Sequence, residues 1–304
     1  MNNSFNRFVS YFFFSNIFLG ISAVSLCIET NLMTHLSLNY FPFYIITFLG
    51  TSIYYTIIYV KNVQAKHHNE RTLWYRRNLG YILTTLKYIV AIAIFFGIVI
   101  LFRNRHSLFS LTPLQWVLLI IFPCLAIWYT ISPRIFPLKN IREIGMAKPF
   151  IIGLTWSGFV TFYPVFIWQI QKGFPGAPPM FPSVFLWLQN FLFISILAII
   201  FDIKDYRNDL LHYLKTFPVV LGIKNTLRFV AFPLLILNIF AFAAFQLQQH
   251  FSLEQIVLQA IPYLFLTFVI LKHNKPKKLL YYLAGIDGLM LLKAVCGITS
   301  IIIK

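Results

Sequence analysis

Three of the eight acidic residues in this chain, Asp202, Asp205 and Asp209, fall in one short stretch, FDIKDYRNDLLHYLKTFPVVLG from Phe201 to Gly222. On a helix, spacings of three and seven residues put all three carboxylates on one face. Such a face repels itself unless cations fill it. With no Cys or His at metal-ligand spacing, oxygen ligands favour a hard ion such as Mg²⁺, shared between one or two carboxylates and a substrate phosphate. Lys215, with Thr216 beside it, suits the remaining phosphate charge, and Pro218 and Gly222 break the chain before the next apolar run. The carboxylates begin where the apolar run 191–201 ends, at a membrane boundary, where an ionisable cluster is expensive and is a candidate functional site. The residue types therefore point to a magnesium-held phosphate or diphosphate; the plainer alternative is a solvated loop between spans.

Such a site has to be held by a membrane scaffold. Of 304 residues, 59% are hydrophobic and 18% aromatic, while 11% are charged, too few to cover a soluble globule of this length. The chain reads as an all-α integral membrane protein whose environment is a lipid bilayer. A net charge of +17 would suggest nucleic acid in a soluble protein, but the basic residues lie between apolar runs, so no nucleic-acid partner is expected. Cys27, Cys124 and Cys296 each stand alone in an apolar run and read as small buried hydrophobes, not as a disulfide framework or zinc site.

Taking a span as roughly 20 apolar residues, the sequence predicts nine transmembrane helices, over 8–28, 40–60, 81–102, 112–130, 149–170, 182–201, 229–247, 254–271 and 279–303, with no soluble domain left over. If the N-terminus is cytoplasmic, 19 of the 25 Lys and Arg fall on the cytoplasmic side and four (Arg103, Arg105, Lys172 and Lys304) outside. That bias is the one cytoplasmic loops carry, and it puts the C-terminus outside. Residues 1–304 form one polytopic membrane domain in this reading, with polar cytoplasmic segments 61–80 and 202–228 over a common mouth. Short loops and the lack of a transit peptide point to a bacterial inner membrane.

In the first polar segment, Asn62, Lys66 and Glu70 are spaced to line one face of a helix continuing from the second span. Arg76 and Arg77 either hold phosphate or anchor the loop as ordinary positive-inside charges. After the fourth span, Tyr129, Lys139, Arg142 and Lys148 approach the membrane from the same side, and Lys148 directly precedes the fifth span. Asp287, about eight residues into the ninth span, must be paired, protonated or facing water; Lys293, six residues on, lies on another face of that helix.

These residues resemble the UbiA superfamily of intramembrane prenyltransferases over essentially the whole chain. The most specific element is D202-x-x-D205-x-x-x-D209 with K215-T216-x-P218-V219 and Gly222, similar to that family's second aspartate motif. The stretch from Pro137 to Trp156 is similar to its fourth-to-fifth connection, with basic positions at Lys139 and Lys148. Where the family's first motif reads N-x-x-x-D-x-x-x-D, this chain has Asn62, Lys66 and Glu70. The resemblance implies a UbiA-like helical bundle and a Mg²⁺-dependent prenyltransferase that moves a polyprenyl group from a prenyl diphosphate to a hydrophobic aromatic or lipid acceptor. It implies Asp202, Asp205 and Asp209 as metal ligands, and Asn62, Glu70, Arg76, Arg77, Tyr129, Lys139, Lys148 and Lys215 around the substrate. Two outcomes stay open: Lys66 replaces one metal as a direct partner of the diphosphate, or ionisation is lost and the chain is an isoprenoid-lipid binding or assembly protein. A transporter is a more distant reading, since the charges sit at one face and no internal repeat is visible.

Overall fold

The computed structural model describes residues 2–61, 63, 70–109, 111–130, 145–172 and 180–303, and among these there is no strand. Among the described residues, eight helices are long and apolar enough to cross a membrane, and a bent pair makes nine if it is counted as one span. They run over Phe41–Lys61, Leu79–Arg103, Pro113–Thr130, Lys148–Lys172, Val184–Lys204, Ile223–Gln249, Leu253–Lys272 and Tyr281–Ile302, so the expected spans are present with shifted ends. In chain order the elements used below are α1 (Asn2–Phe14), α2 (Ile17–Met33), α3 (Phe41–Lys61), α4 (Glu70–Arg77), α5 (Leu79–Arg103), α6 (Arg105–Phe109), α7 (Pro113–Thr130), α8 (Lys148–Ser157), α9 (Tyr163–Lys172), α10 (Met180–Lys204), α11 (Tyr206–Leu211), α12 (Phe217–Leu221), α13 (Ile223–Thr226), α14 (Phe232–Gln249), α15 (Leu253–Lys272) and α16 (Gly288–Ile302).

The central helix is α10, packed against α8 on one side and α14 on the other. Its Phe193, Ile196, Ile199, Ile200 and Ile203 are completely buried, so the run that ends at Asp202 forms the middle of the core. The first and last spans, α2 and α16, lie together, and α15 packs on α16. By contrast the window that defines the third span, α5, buries none of its residues inside the protein; a helix apolar all round with no protein cover is a lipid-facing span. Cys124 on α7 is exposed on the same outer surface while Cys27 and Cys296 are buried, which corrects the expectation that all three cysteines are core residues.

Among the described residues, three spans contain a wider turn. The backbone is π-helical over Gly158–Phe162, between α8 and α9, over Leu227–Ala231, before α14, and over Tyr281–Ile286, before α16. Such segments each carry one extra residue in the helical ladder.

The first span is not straight. Phe8–Phe14 and Ile17–Met33 meet at 55°, and Asn16 at the junction takes φ 67, a conformation that asparagine tolerates better than most side chains. Its amide donates to Thr56 Oγ1 (3.1 Å) and Tyr75 Oη (3.0 Å), and its oxygen accepts from Arg71. Arg71 also donates to the carbonyl of Phe14 (3.1 Å) and to Tyr59 Oη (3.1 Å), with its guanidinium 3.9 Å from the Tyr59 ring centre. Arg71 is 2% exposed. It is therefore no loop charge of the positive-inside kind: it pins α4 into the bend of the first span.

Candidate active site at the aspartate end of the bundle

The carboxylates enter through a helix that nearly continues past its end. Asp202 lies on α10; Asp205 is the junction residue, its N–H donating to the Asp202 carbonyl at 3.1 Å; and the N–H of Asp209 on α11 donates to the Asp205 carbonyl at 2.8 Å. The three carboxylates differ in depth. Asp202 is 2% and Asp209 6% exposed, whereas the Asp205 side chain is 40% exposed and pairs with Lys204 at 3.3 Å. The spacing predicts one shared face; in the structure Asp202 and Asp209 are buried and Asp205, between them in sequence, is turned towards the outside.

The ammonium of Lys148, the first residue of α8, forms an ion pair with Asp202 Oδ1. Asp202 Oδ2 and Asp209 Oδ2 are buried and have no hydrogen-bond partner. Burial pushes the Asp209 carboxyl up to about 6, with Lys148 offsetting part of that rise and Asp202 and Asp205 adding to it. Tyr129, at the end of α7, is within electrostatic reach of Lys148. The lysine that holds Asp202 is thus Lys148, which joins the fifth and sixth spans, while Lys204 pairs with Asp205 and the Lys215 side chain is exposed. Glu70, Arg76 and Arg77 are exposed along α4, with Arg76 donating to the carbonyl of Val63 at 2.8 Å. Asn62, Lys66 and Lys139 lie outside the described residues.

The segment after the aspartates is locked by backbone contacts. Thr216 caps α12 in an extended conformation, Pro218 sits in its first turn, and Gly222 at φ 80 ends it. Gly145 lies against this turn: a Cβ there would fall 2.5 Å from the carbonyl carbon of Lys215 and 2.6 Å from the nitrogen of Thr216. Neither backbone atom can move cheaply. Gly145→Ala is expected to cost roughly 1–3 kcal/mol through overpacking and to displace the turn that follows the aspartates. Thermal unfolding in detergent beside Mg²⁺ titration checks it; unchanged melting and unchanged metal response would mean the turn yields freely.

A further buried group lies near the same mouth. His273 is 2% exposed, its Nε2 is 3.0 Å from Tyr282 Oη, and its ring stacks on Tyr281. Burial, with Lys277 adding to it, lowers the His273 imidazole from 6.5 to about 4. The folded value lies below the unfolded one, so this contribution to stability is full above pH 6.5 and is lost as pH falls towards about 4. His273→Gln is expected to flatten the fall in melting temperature across that window; an unaltered slope would show that another group sets it.

Mg²⁺ is the ion that the resemblance implies, and two buried carboxylate oxygens without partners, on Asp202 and Asp209, are hard donors of the kind that ion takes together with a phosphate. Among the described residues, no three His, Cys, Asp or Glu side chains come together in a way that could hold a metal ion, so Asp202, Asp205 and Asp209 do not form a three-carboxylate site; most of the coordination sphere would come from substrate and water, as is usual for Mg²⁺.

Neither a protein-family model nor a curated protein matches this sequence. Solved structures do. The chain is similar to the structure reported for digeranylgeranylglyceryl phosphate synthase in membranes, with 16% identity, a TM-score of 0.57, and coverage of 97% of this chain and 98% of that one. It is also similar to a UbiA homologue from Archaeoglobus fulgidus bound to GPP and Mg²⁺, with 10% identity, a TM-score of 0.54, and coverage of 95% and 99%. A second structure of a UbiA homologue from that organism, bound to DMAPP and Mg²⁺, gives 10% identity, a TM-score of 0.51, and coverage of 96% and 99%. The chain has the fold of UbiA homologues along nearly its whole length.

Proposed function

We propose that this protein is a membrane prenyltransferase that binds a prenyl diphosphate at the aspartate end of the bundle and transfers its prenyl group to a hydrophobic acceptor. The observation that carries this reading is the Lys148–Asp202 pair with two unpartnered carboxylate oxygens beside it, Asp202 Oδ2 and Asp209 Oδ2. A buried anionic group without a partner calls for a cation. Magnesium, when bound, supplies Lewis-acid neutralisation of the charge that builds on the departing diphosphate.

The chain's own residues do the rest. Asp202, Asp205 and Asp209 present oxygens at graded depth, and Lys148, held by Asp202, offers fixed positive charge to phosphate oxygens. Lys66 and Glu70 stand where the family's first motif has aspartates, and in this reading Lys66 provides a direct charge for the diphosphate. Asn62, Arg76, Arg77, Tyr129, Lys139 and Lys215 complete the headgroup surroundings. The two polar segments, 61–80 and 202–228, then form a cytoplasmic mouth of one membrane domain, in keeping with the Lys and Arg asymmetry of the loops, and a bacterial inner membrane suits it. The prenyl tail lies among the spans, where aromatic faces such as Tyr55 and Trp156, joined by a 2.7 Å hydrogen bond, can stabilise a cation.

The test is diphosphate release from geranylgeranyl diphosphate by purified protein in detergent, with and without Mg²⁺, beside Asp205→Asn. Release that needs both Mg²⁺ and Asp205 is expected. Binding without release would favour the second reading, an isoprenoid-lipid binding or assembly protein, for which the substitutions at Lys66 and Glu70 speak.

A further inference from the structure

Asp287 is a carboxylate inside the ninth span with no use in the site described so far. It closes the π-helical segment Tyr281–Ile286, its N–H donating to the Tyr282 carbonyl at 2.9 Å. Its side chain is half-buried, and among the described residues it takes part in no hydrogen bond or ion pair. Intramembrane carboxylates without a partner are expensive, and those that persist serve a function.

Its surroundings say which. The Tyr282 ring packs against Phe201 at 5.4 Å, beside Asp202 in sequence, and lies within electrostatic reach of Asp205. Asp287 comes five residues later on the same span, so it sits roughly 7 Å deeper at about 1.5 Å per residue. The charges of Arg71 on α4 and Lys204 on α10 reach it, and its own reaches Tyr55 of α3. Arg71 is engaged with Asn16, Phe14 and Tyr59, and Lys204 with Asp205, so both cations already have partners. Asp287 is left half-buried and without a partner of its own at the level just below the aspartates.

That level is where a diphosphate would end and an apolar tail begin, so the carbon that changes partners must lie there. We propose that Asp287 receives the nucleophilic group of the acceptor, a hydroxyl or an amine, and takes up its proton; this rests on the prenyl-transfer reading. In the step, the carbon–oxygen bond to the diphosphate breaks and its electron pair leaves with the diphosphate. The lone pair of the acceptor's oxygen or nitrogen forms the new bond to carbon, and the proton released moves to the Asp287 carboxylate. A carboxylate in this place commits the acceptor class to a hydrogen-bond donor at the reacting end and disfavours an anionic group there.

The experiment supplies geranylgeranyl diphosphate and Mg²⁺ to purified protein in detergent with 1-naphthol, 1-naphthylamine or 1-naphthoic acid, reading prenylated product and released diphosphate together. The wild type is expected to prenylate the naphthol or the amine and to leave the carboxylic acid unreacted. Asp287→Asn, of nearly the same shape, is expected to lower product per diphosphate released at least about tenfold, with Asp287→Glu recovering part of the coupling. A merely structural role would lower both readouts together. Unchanged coupling in Asp287→Asn, preference for the naphthoic acid, or release without transfer to any of the three would overturn the assignment. A wild type that releases no diphosphate under any condition would instead overturn the prenyl-transfer reading on which it rests.

Discussion

Lys148→Met is expected to destabilise the protein by roughly 3–5 kcal/mol, the range for breaking a buried ion pair from one side. It is also expected to cut diphosphate release by about 10²–10³, the usual cost of removing one electrostatic stabiliser of a developing anion. Asp202 is 2% exposed and its second oxygen has no partner, so its carboxylate would keep only the more distant charge of Lys204, which is itself paired with Asp205. The 20% exposure of the Lys148 side chain places the stability effect towards the lower end. Asp202→Asn in the Lys148→Met background removes the stranded charge, and most of the melting temperature should return while release stays lost. That split between stability and activity is the diagnostic result. A single variant that melts with the wild type would remove Lys148 as the partner that holds the aspartate, and the electrostatic account of the site with it.

Lys293→Met should be as costly to stability and harmless to the chemistry. Lys293 on α16 donates to Glu29 on α2 at 2.8 Å, their side chains 4% and 3% exposed, and Glu29 Oε2 has no partner. Around them lie Gln189, Gln259 and Tyr263, with hydrogen bonds from Tyr263 to Gln189 (3.2 Å) and from Gln259 to Ser300 (2.8 Å). Gln189 precedes Asp202 by 13 residues on α10, roughly 20 Å at 1.5 Å per residue, so this polar core belongs to the opposite end of the bundle. Losing the lysine should cost roughly 3–5 kcal/mol, and adding Glu29→Gln should restore most of it, because a neutral pair leaves no uncompensated charge. Melting curves of the single and double variants in detergent measure this. Diphosphate release by the surviving folded fraction should match the wild type, and a matching loss in both readouts would show that the two ends of the bundle are coupled.

What the sequence disclosed follows from how far each signal travels along the chain. A span is a local property, an apolar run of fixed length, so eight were legible as helices whose ends alone moved, and the first as a run that the structure breaks into a pair bent by 55°. The aspartates were legible for the same reason, being three, four and seven residues apart. Lys148 was legible as a candidate at the start of the fifth span, but its pairing with Asp202 was not, because the two stand 54 residues apart. Glu29 and Lys293 stand 264 residues apart, and at that separation nothing local to either charge points to the other. Arg71 looked like one basic residue among five in its loop, yet it is buried. The missed signal was the set of polar and aromatic residues it needs: Asn16 within an apolar run, and Tyr59 and Tyr75 flanking it. The bend at Asn16 was hidden for a related reason, since one polar residue hardly lowers the hydrophobicity of a span.

The three π-helical segments bear on how this chain should be aligned with others of its fold. Each holds one residue more than an α-helix needs to join its two flanks. Deleting a residue within Gly158–Phe162, Leu227–Ala231 or Tyr281–Ile286 would close the wide turn into ordinary ladder and leave the flanking side chains on their present faces. The same deletion inside α3 would swing every later side chain of that helix by roughly 100°. Single-residue gaps between this chain and its structural relatives are therefore best opened inside these three spans and not pushed out to the nearest loop, and an alignment that forbids gaps in membrane helices would misplace the residues around Asp287.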